Sequence, residues 1–156
     1  MTLLDNTTSL LRVHLGGAVI GLPARAVREI LRAVAITPMP GAPAIVEGVV
    51  NVRGQLVPVV DVRTRLALPP RALDPDEFLV VLLDGARTLA IRVDEVDDLV
   101  EIDAEAVEAS VELSPALRGL AGLSARADGV LVIYDPGAFI SQGEAEALDA
   151  MQARSA

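Results

Sequence analysis

Cysteine is absent from the 156 residues, so disulfide staples and thiolate metal sites are both excluded. Lysine is absent as well. All 13 basic residues are arginine, and a phosphate loop of the Gly-x-x-x-x-Gly-Lys type cannot exist. The single histidine, His14, has no second His or Cys with which to share a metal, and reads as a satisfied strand histidine. No Gly-x-Ser-x-Gly elbow is present to support nucleophilic catalysis, so an enzyme is the least supported reading. Aromatic residues make up only 2% (Phe78, Tyr134 and Phe139), so the core must be built from Val, Leu, Ile and Ala. The net charge of −9 and the lack of aromatic platforms argue against nucleic acid and against an anionic membrane surface. Apolar runs are short, as in Phe78 to Leu83, far below the roughly 18 residues of a membrane span. Met1 to Leu11 carries no basic residue ahead of its leucines, so no secretory signal is expected. These absences predict a cytoplasmic protein with no cofactor and no metal.

What is present is a series of short β-type runs separated by turn residues. Residues 1–9 read as a polar lead-in, and Leu10 to Leu15 and Ala18 to Leu22 as strands joined by Gly16-Gly17. Ala24 to Ala33 fits one or two turns of helix after Pro23, with Val27 and Ile30 three apart on one face. Thr37 to Pro43, with three prolines, must be an extended loop. Arg63 to Leu68 predicts a short helical turn, and 63–77 reads as an exposed connection between two lobes. Further strands are predicted at Phe78 to Leu83, Leu89 to Val93, Leu99 to Ile102, Gly119 to Ser124 and Val130 to Tyr134, with 103–118 irregular and a terminal helix over 141–156. Roughly nine or ten strands without βαβ alternation imply an all-β barrel or sandwich.

Residues 45–62 carry most of the information. Two β-branched runs flank Asn51, Arg53, Gly54 and Gln55, which predicts a hairpin with a glycine in its turn. Alternation places Val50 and Val52 on one side and Asn51 and Arg53 on the other. One cation fixed on a rigid hairpin suits recognition more than chemistry. By pattern alone Arg53 is either a solvent-facing arginine or one paired with Glu29 or Glu47. Val27 and Ile30 either pack inward or form an apolar strip that receives a partner helix, with Glu29 as a rim charge. Gly48 and Gly54 read as backbone devices for a bend and a turn. The acidic stretch from Asp94 to Glu112 lacks the glycine and alternate ligands of a calcium loop, and reads as a solvated face able to steer a basic partner.

The block containing Gly48, Asn51, Arg53, Gly54, Pro58, Asp61 and Arg63 closely resembles the signature of the CheW family, the coupling proteins of bacterial chemotaxis arrays. The likeness runs in order from Leu10 to Phe139, through Val27-Arg28-Glu29-Ile30, Thr37-Pro38-Met39-Pro40 and Val93-Asp94-Glu95-Val96. It implies one CheW-like domain over 10–140, built as two packed five-stranded SH3-like barrels, with no catalytic activity. The partners it implies are the cytoplasmic tip of chemoreceptors and the regulatory domain of a CheA-type histidine kinase, in receptor arrays at the membrane. The resemblance places Arg53, Val27, Ile30, Glu29 and Asn51 at a partner-binding surface. A paralogue serving another motility array is the alternative, because Tyr134-Asp135-Pro136-Gly137 replaces the family's usual closing strand.

Overall fold

The computed structural model describes residues 7–103, 107–108, 120–126 and 129–155. It contains β1 (Thr7–Leu15), β2 (Ala18–Pro23), β3 (Val27–Arg32), β4 (Val46–Val52), β5 (Gln55–Val60), α1 (Val62–Arg65), β6 (Phe78–Asp84), β7 (Arg87–Val93), β8 (Glu95–Asp103), β9 (Val107–Glu108), β10 (Leu120–Arg126), β11 (Gly129–Tyr134) and α2 (Gln142–Ser155). Two sheets form, in the orders β8-β1-β2-β11-β10-β9 and β3-β6-β7-β5-β4.

The two sheets repeat one plan. In each, an edge strand pairs antiparallel with a hairpin, the hairpin pairs parallel with a second hairpin, and that hairpin closes the run. Five strands of each sheet correspond in this way, and the two-residue β9 is an addition to the first. This is the architecture of two SH3-like barrels. The topological repeat leaves no trace in the sequence, because pairing order constrains apolar alternation but not residue identity.

The apolar strands β6 and β7 are buried on both faces, which explains their unbroken hydrophobicity. Leu79, Val81 and Ala90 join Val50, Val52, Val57 and Val59 inside the five-stranded barrel. Val80, Leu82, Leu89, Ile91 and Val93 face the other way and meet Leu11, Val13, Leu15, Ile20 and Leu22 of the first sheet. Leu10, Leu131 and Ile133 form a smaller cluster in the six-stranded sheet. The largest apolar cluster therefore lies between the barrels and holds them as one body. Pro58 sits in an internal strand, yet β5 pairs with β7 only at Val59 and Val60, so its ring meets no partner strand on that side.

Three expectations are corrected. Ala24–Ala26 makes one 3-10 turn, and Val27–Arg32 is strand β3 rather than helix. The register slips between Val27 and Glu29, so Val27 pairs with Leu82 and Ile30 with Val80 on one face of the sheet, Val27 half-buried and Ile30 exposed. Pairing with β6 supplied the backbone partners that a helix would have made internally. Second, 63–77 does not join the two lobes. It runs from β5 through α1 to β6 within one sheet, while the crossings between sheets occur at Pro23–Val27 and Val93–Glu95. Third, β1 begins at Thr7, inside the expected lead-in, and residues 1–6 lie outside the described residues. Most of 103–118, expected to be irregular, also lies outside them.

Helix α2 starts with a reciprocal cap. The Glu144 N–H donates to Ser141 Oγ at 3.1 Å, and the Ser141 N–H donates to Glu144 Oε1 at 2.7 Å. Ala145 and Leu148 bury against the inter-barrel core. Partial burial raises the Glu144 carboxyl, but the Arg65 guanidinium and the Ser141 donors outweigh it, leaving it below the usual carboxylate range. A carboxyl depressed on folding stabilises the native state above its unfolded pKa and loses that contribution as pH falls through the folded value. Protection factors within α2, referred to the intrinsic exchange rate at each pH, should therefore stay high down to about pH 4 and fall below it, the ordinary glutamate value being about 4.3. Glu144→Gln should remove that acid step. Equal protection factors at pH 6 and pH 3 in the native chain would refute the role of the carboxylate.

Candidate partner-docking surface

At the hairpin tip Arg53 (φ 52°) and Gly54 (φ 85°) both adopt left-handed backbone, the requirement of a type I′ turn. Gly54 takes this conformation freely, whereas arginine does so at a cost of roughly 1–2 kcal/mol. Asn51 offsets part of it, because its Oδ1 accepts the Gly54 N–H at 2.8 Å. Asn51 is thus first a brace for the turn that presents Arg53.

Arg53 is 79% exposed, and its Nε donates to Glu29 Oε1 at 2.8 Å. Glu29, on β3, is mostly covered, so the carboxylate orients the arginine from below. Exposed pairs of this kind contribute about 0–1 kcal/mol. The guanidinium is aimed outward, and stability is a minor part of its role. A second tie joins the same elements: Arg28 Nη1 donates to Gln55 Oε1 at 2.9 Å. Both ties draw the edge strand β3 toward the hairpin and close the barrel at this end.

Apolar side chains are exposed on the same elements and just beyond them. Ile30 is 41% exposed on β3, Val34 just beyond it is 51% exposed, and Leu56 is 63% exposed on β5. Leu56 pairs in register with Asn51, so both project from the same face of the hairpin. Val27 is half-buried where Ile30 is exposed. It packs against the inter-barrel core and supports β3 from within. Sequence reading missed Leu56, although its apolar character immediately after the polar turn was a visible signal.

Gly48 lies at a bulge in β4, where the register against β5 slips between Val46 and Gly48. The extended segment after β3 crosses there, and Thr37 and Val49 exchange backbone hydrogen bonds of 3.0 and 2.8 Å. A Cβ on Gly48 would lie 2.2 Å from the Thr37 carbonyl oxygen, so only glycine permits the approach. Around Gly54 a Cβ would meet nothing within 4 Å, and its role is conformational alone.

The rest of the family-like signature is structural. Asp61 caps α1, accepting from the Thr64 N–H at 3.2 Å and from its hydroxyl at 2.6 Å. Arg63 is buried and bonded to Asp94, whose other oxygen accepts the Gly16 N–H at 2.8 Å. Beside it Arg92 reaches Glu77 (2.8 Å) and Glu47 (2.9 Å). Asp94 sits at a crossing between the sheets, so this network helps fix one barrel against the other.

The acidic face is exposed at Glu95, Asp97, Asp98 and Glu101 on β8. Bonds from Arg12 (2.8 Å) and then His14 (3.1 Å) hold the Asp97 carboxyl below its usual range. His14 is therefore occupied by a carboxylate. Among the described residues no group of three His, Cys, Asp or Glu could hold a metal ion, and no helix is long and apolar enough to cross a membrane.

Comparison with known proteins places this geometry. The family model for the CheW-like domain matches residues 9–144. The chemotaxis protein CheW of Klebsiella aerogenes is 30% identical over 137 residues, covering 86% of this chain and 82% of that protein. The chemotaxis protein CheW of Treponema pallidum is 25% identical over 154 residues, or 95% and 91% of the two chains. Among solved structures, the scaffolding protein TtCheW of Thermoanaerobacter tengcongensis shares the fold, with a TM-score of 0.79 and 23% identity over 87% of this chain and 94% of that one.

Proposed function

Because this chain belongs to the CheW-like family and is a chemotaxis coupling adaptor, we propose that its Arg53 surface docks the cytoplasmic tip of a chemoreceptor. The regulatory domain of a CheA-type histidine kinase binds elsewhere on the same molecule. The protein acts in the cytoplasm, recruited to receptor arrays at the membrane, and performs no catalysis of its own. One observation carries this reading: a guanidinium held outward at 79% exposure on a braced turn, with Leu56 exposed in the same hairpin and Ile30 exposed on the strand that Glu29 ties to it.

The arrangement has the anatomy of an interface hot spot. Arginine is enriched there because its planar fork makes several hydrogen bonds at once, and a rim of apolar contact excludes water around it. Glu29 fixes the arginine through Nε, which leaves the terminal nitrogens to a partner's carboxylates. Ile30 supplies apolar area from β3. The inter-barrel core makes the adaptor rigid, so a receptor on one surface and a kinase on another are held at a fixed separation.

Titration of a soluble receptor-tip fragment tests the proposal. Replacing Arg53 with alanine should weaken binding by about 30-fold, the 2 kcal/mol of a typical hot spot. The thermal midpoint should barely move, and affinity for the kinase regulatory domain should stay within twofold. Equal receptor affinity for the native and Arg53→Ala proteins would remove the surface from consideration.

A further inference from the structure

Edge strands β3 and β8 hold equivalent places in the two sheets, each beginning at a crossing between them. On β3, Val27 and Ile30 pair with Leu82 and Val80; on β8, Val96 and Leu99 pair with Val13 and Leu11. In both, three steps of the edge strand match two of its neighbour across a bulge. Val96, like Val27, packs against the inter-barrel core, and Leu99, like Ile30, is exposed, at 61%. The charges around them are opposite. Exposed Arg28 and Arg32 flank Ile30, whereas exposed Glu95, Asp97, Asp98 and Glu101 flank Leu99.

We propose that β8 is a second docking strip, whose occupant is a basic protein segment seating one apolar side chain on Leu99, with arginine or lysine against Asp98 and Glu101. This goes beyond the receptor reading and holds whatever binds at Arg53. Charge decides the occupant. Asp97 is matched by Arg12 at 2.8 Å, with His14 beside it at 3.1 Å. Asp94, just before the strand, is bonded to Arg63 and Arg71. Strand β1, which pairs with β8, adds no further arginine. Glu95, Asp98 and Glu101 have no basic partner among the described residues, so all three carboxylates are open to a cation. Asp97 and Asp98 lie opposite Arg12 in the bulge, which breaks the ladder, so the strip offers side chains rather than backbone for strand addition. Its opposite polarity keeps β8 from competing for a partner suited to β3.

Amide NMR of the whole protein at low salt tests this with three short synthetic peptides. One carries a leucine between pairs of arginines, the second has serine for leucine, and the third has glutamate for arginine. The arginine–leucine peptide should shift the amides of 95–101 and of their partners on β1. Leu99→Ser should weaken its binding roughly tenfold, as for loss of a partly buried leucine contact. Asp98→Asn combined with Glu101→Gln should weaken it roughly fivefold. All three residues are exposed, so thermal midpoints should be unchanged. The serine peptide should bind more weakly, the glutamate peptide not at all, and Arg53→Ala should bind as the native protein does. Failure of the arginine–leucine peptide to bind, shifts spread evenly over other acidic surface, or native affinity in Leu99→Ser overturns the strip and leaves a solvated acidic face. Equal binding of the arginine and glutamate peptides overturns the basic occupant. Sedimentation tests a second copy, whose β3 offers Arg28 and Arg32: self-association that Leu99→Ser abolishes overturns the foreign segment. A roughly tenfold loss of receptor-tip affinity in Leu99→Ser assigns β8 to the receptor and overturns it too.

Discussion

Replacing Glu77 with alanine should destabilise the fold by about 3–5 kcal/mol, the penalty of leaving buried charges without their partner. Glu77 is 1% exposed and accepts from Arg92 Nη1 and from the Asp74 N–H, both at 2.8 Å. Arg63, also buried, lies 3.9 Å from its second oxygen. Without the carboxylate, Arg92 keeps Glu47 and the Arg71 carbonyl, but Arg63 is left with Asp94 alone on its buried side. A domain of this size has about 5–15 kcal/mol in all, so the loss is a large fraction of it. Denaturant midpoints at constant m-value would measure the effect. The double variant Glu77→Leu, Arg92→Met should lose less than the sum of its single changes, because both charges leave together. A single-variant loss under about 1 kcal/mol, the range of exposed pairs, would show that the network is solvated in solution.

That network also marks where sequence reading reached its limit. Arg92 interrupts the run Leu89-Ala90-Ile91-Arg92-Val93, and Glu77 directly precedes the strand at Phe78. A charge inside an apolar strand signals a buried partner, but the partners lie 15 and 45 residues away and only sheet pairing brings them together. The hairpin was legible because everything that defines it is local: alternation, a left-handed turn and Asn51 three residues before the amide it caps. Strand β3 was not. The alanines that flank it, Ala24, Ala26 and Ala33, and the three-residue spacing of Val27 and Ile30 mimic a helix, and the deciding factor, the backbone of β6, is remote. The same limit applies to 63–77, whose prolines and charges report exposure but not which strands it joins. At the candidate surface, Arg53, Glu29, Asn51, Ile30, Gly48 and Gly54 stand out in the sequence itself. Their division of labour, with Asn51 bracing, Glu29 orienting and Val27 supporting from inside, required the coordinates.

Gly48→Ala should injure both fold and docking, through a contact that no side-chain repacking can relieve. The added methyl would lie 2.2 Å from the Thr37 carbonyl oxygen and 2.8 Å from Ile36 Cγ2. Backbone atoms cannot swing aside as a flexible side chain can, so β4 and the 36–43 segment must separate. Overpacking typically costs about 1–3 kcal/mol, and the loss of the paired Thr37–Val49 hydrogen bonds adds roughly 1 kcal/mol each. The segment that moves is continuous with β3, which carries Glu29 and Ile30, so receptor affinity should fall along with stability. Gly54→Ala is the control. Its Cβ meets nothing, and only the left-handed backbone (φ 85°) is strained, by roughly 1–2 kcal/mol. Amide exchange at Thr37 and Val49 separates the two cases. In Gly48→Ala both amides should lose protection at temperatures where the barrel strands remain closed, while in Gly54→Ala both stay protected. Native protection at Thr37 and Val49 in Gly48→Ala would mean that the close approach is not held in solution, and that Gly48 serves some purpose other than seating the extended segment against β4.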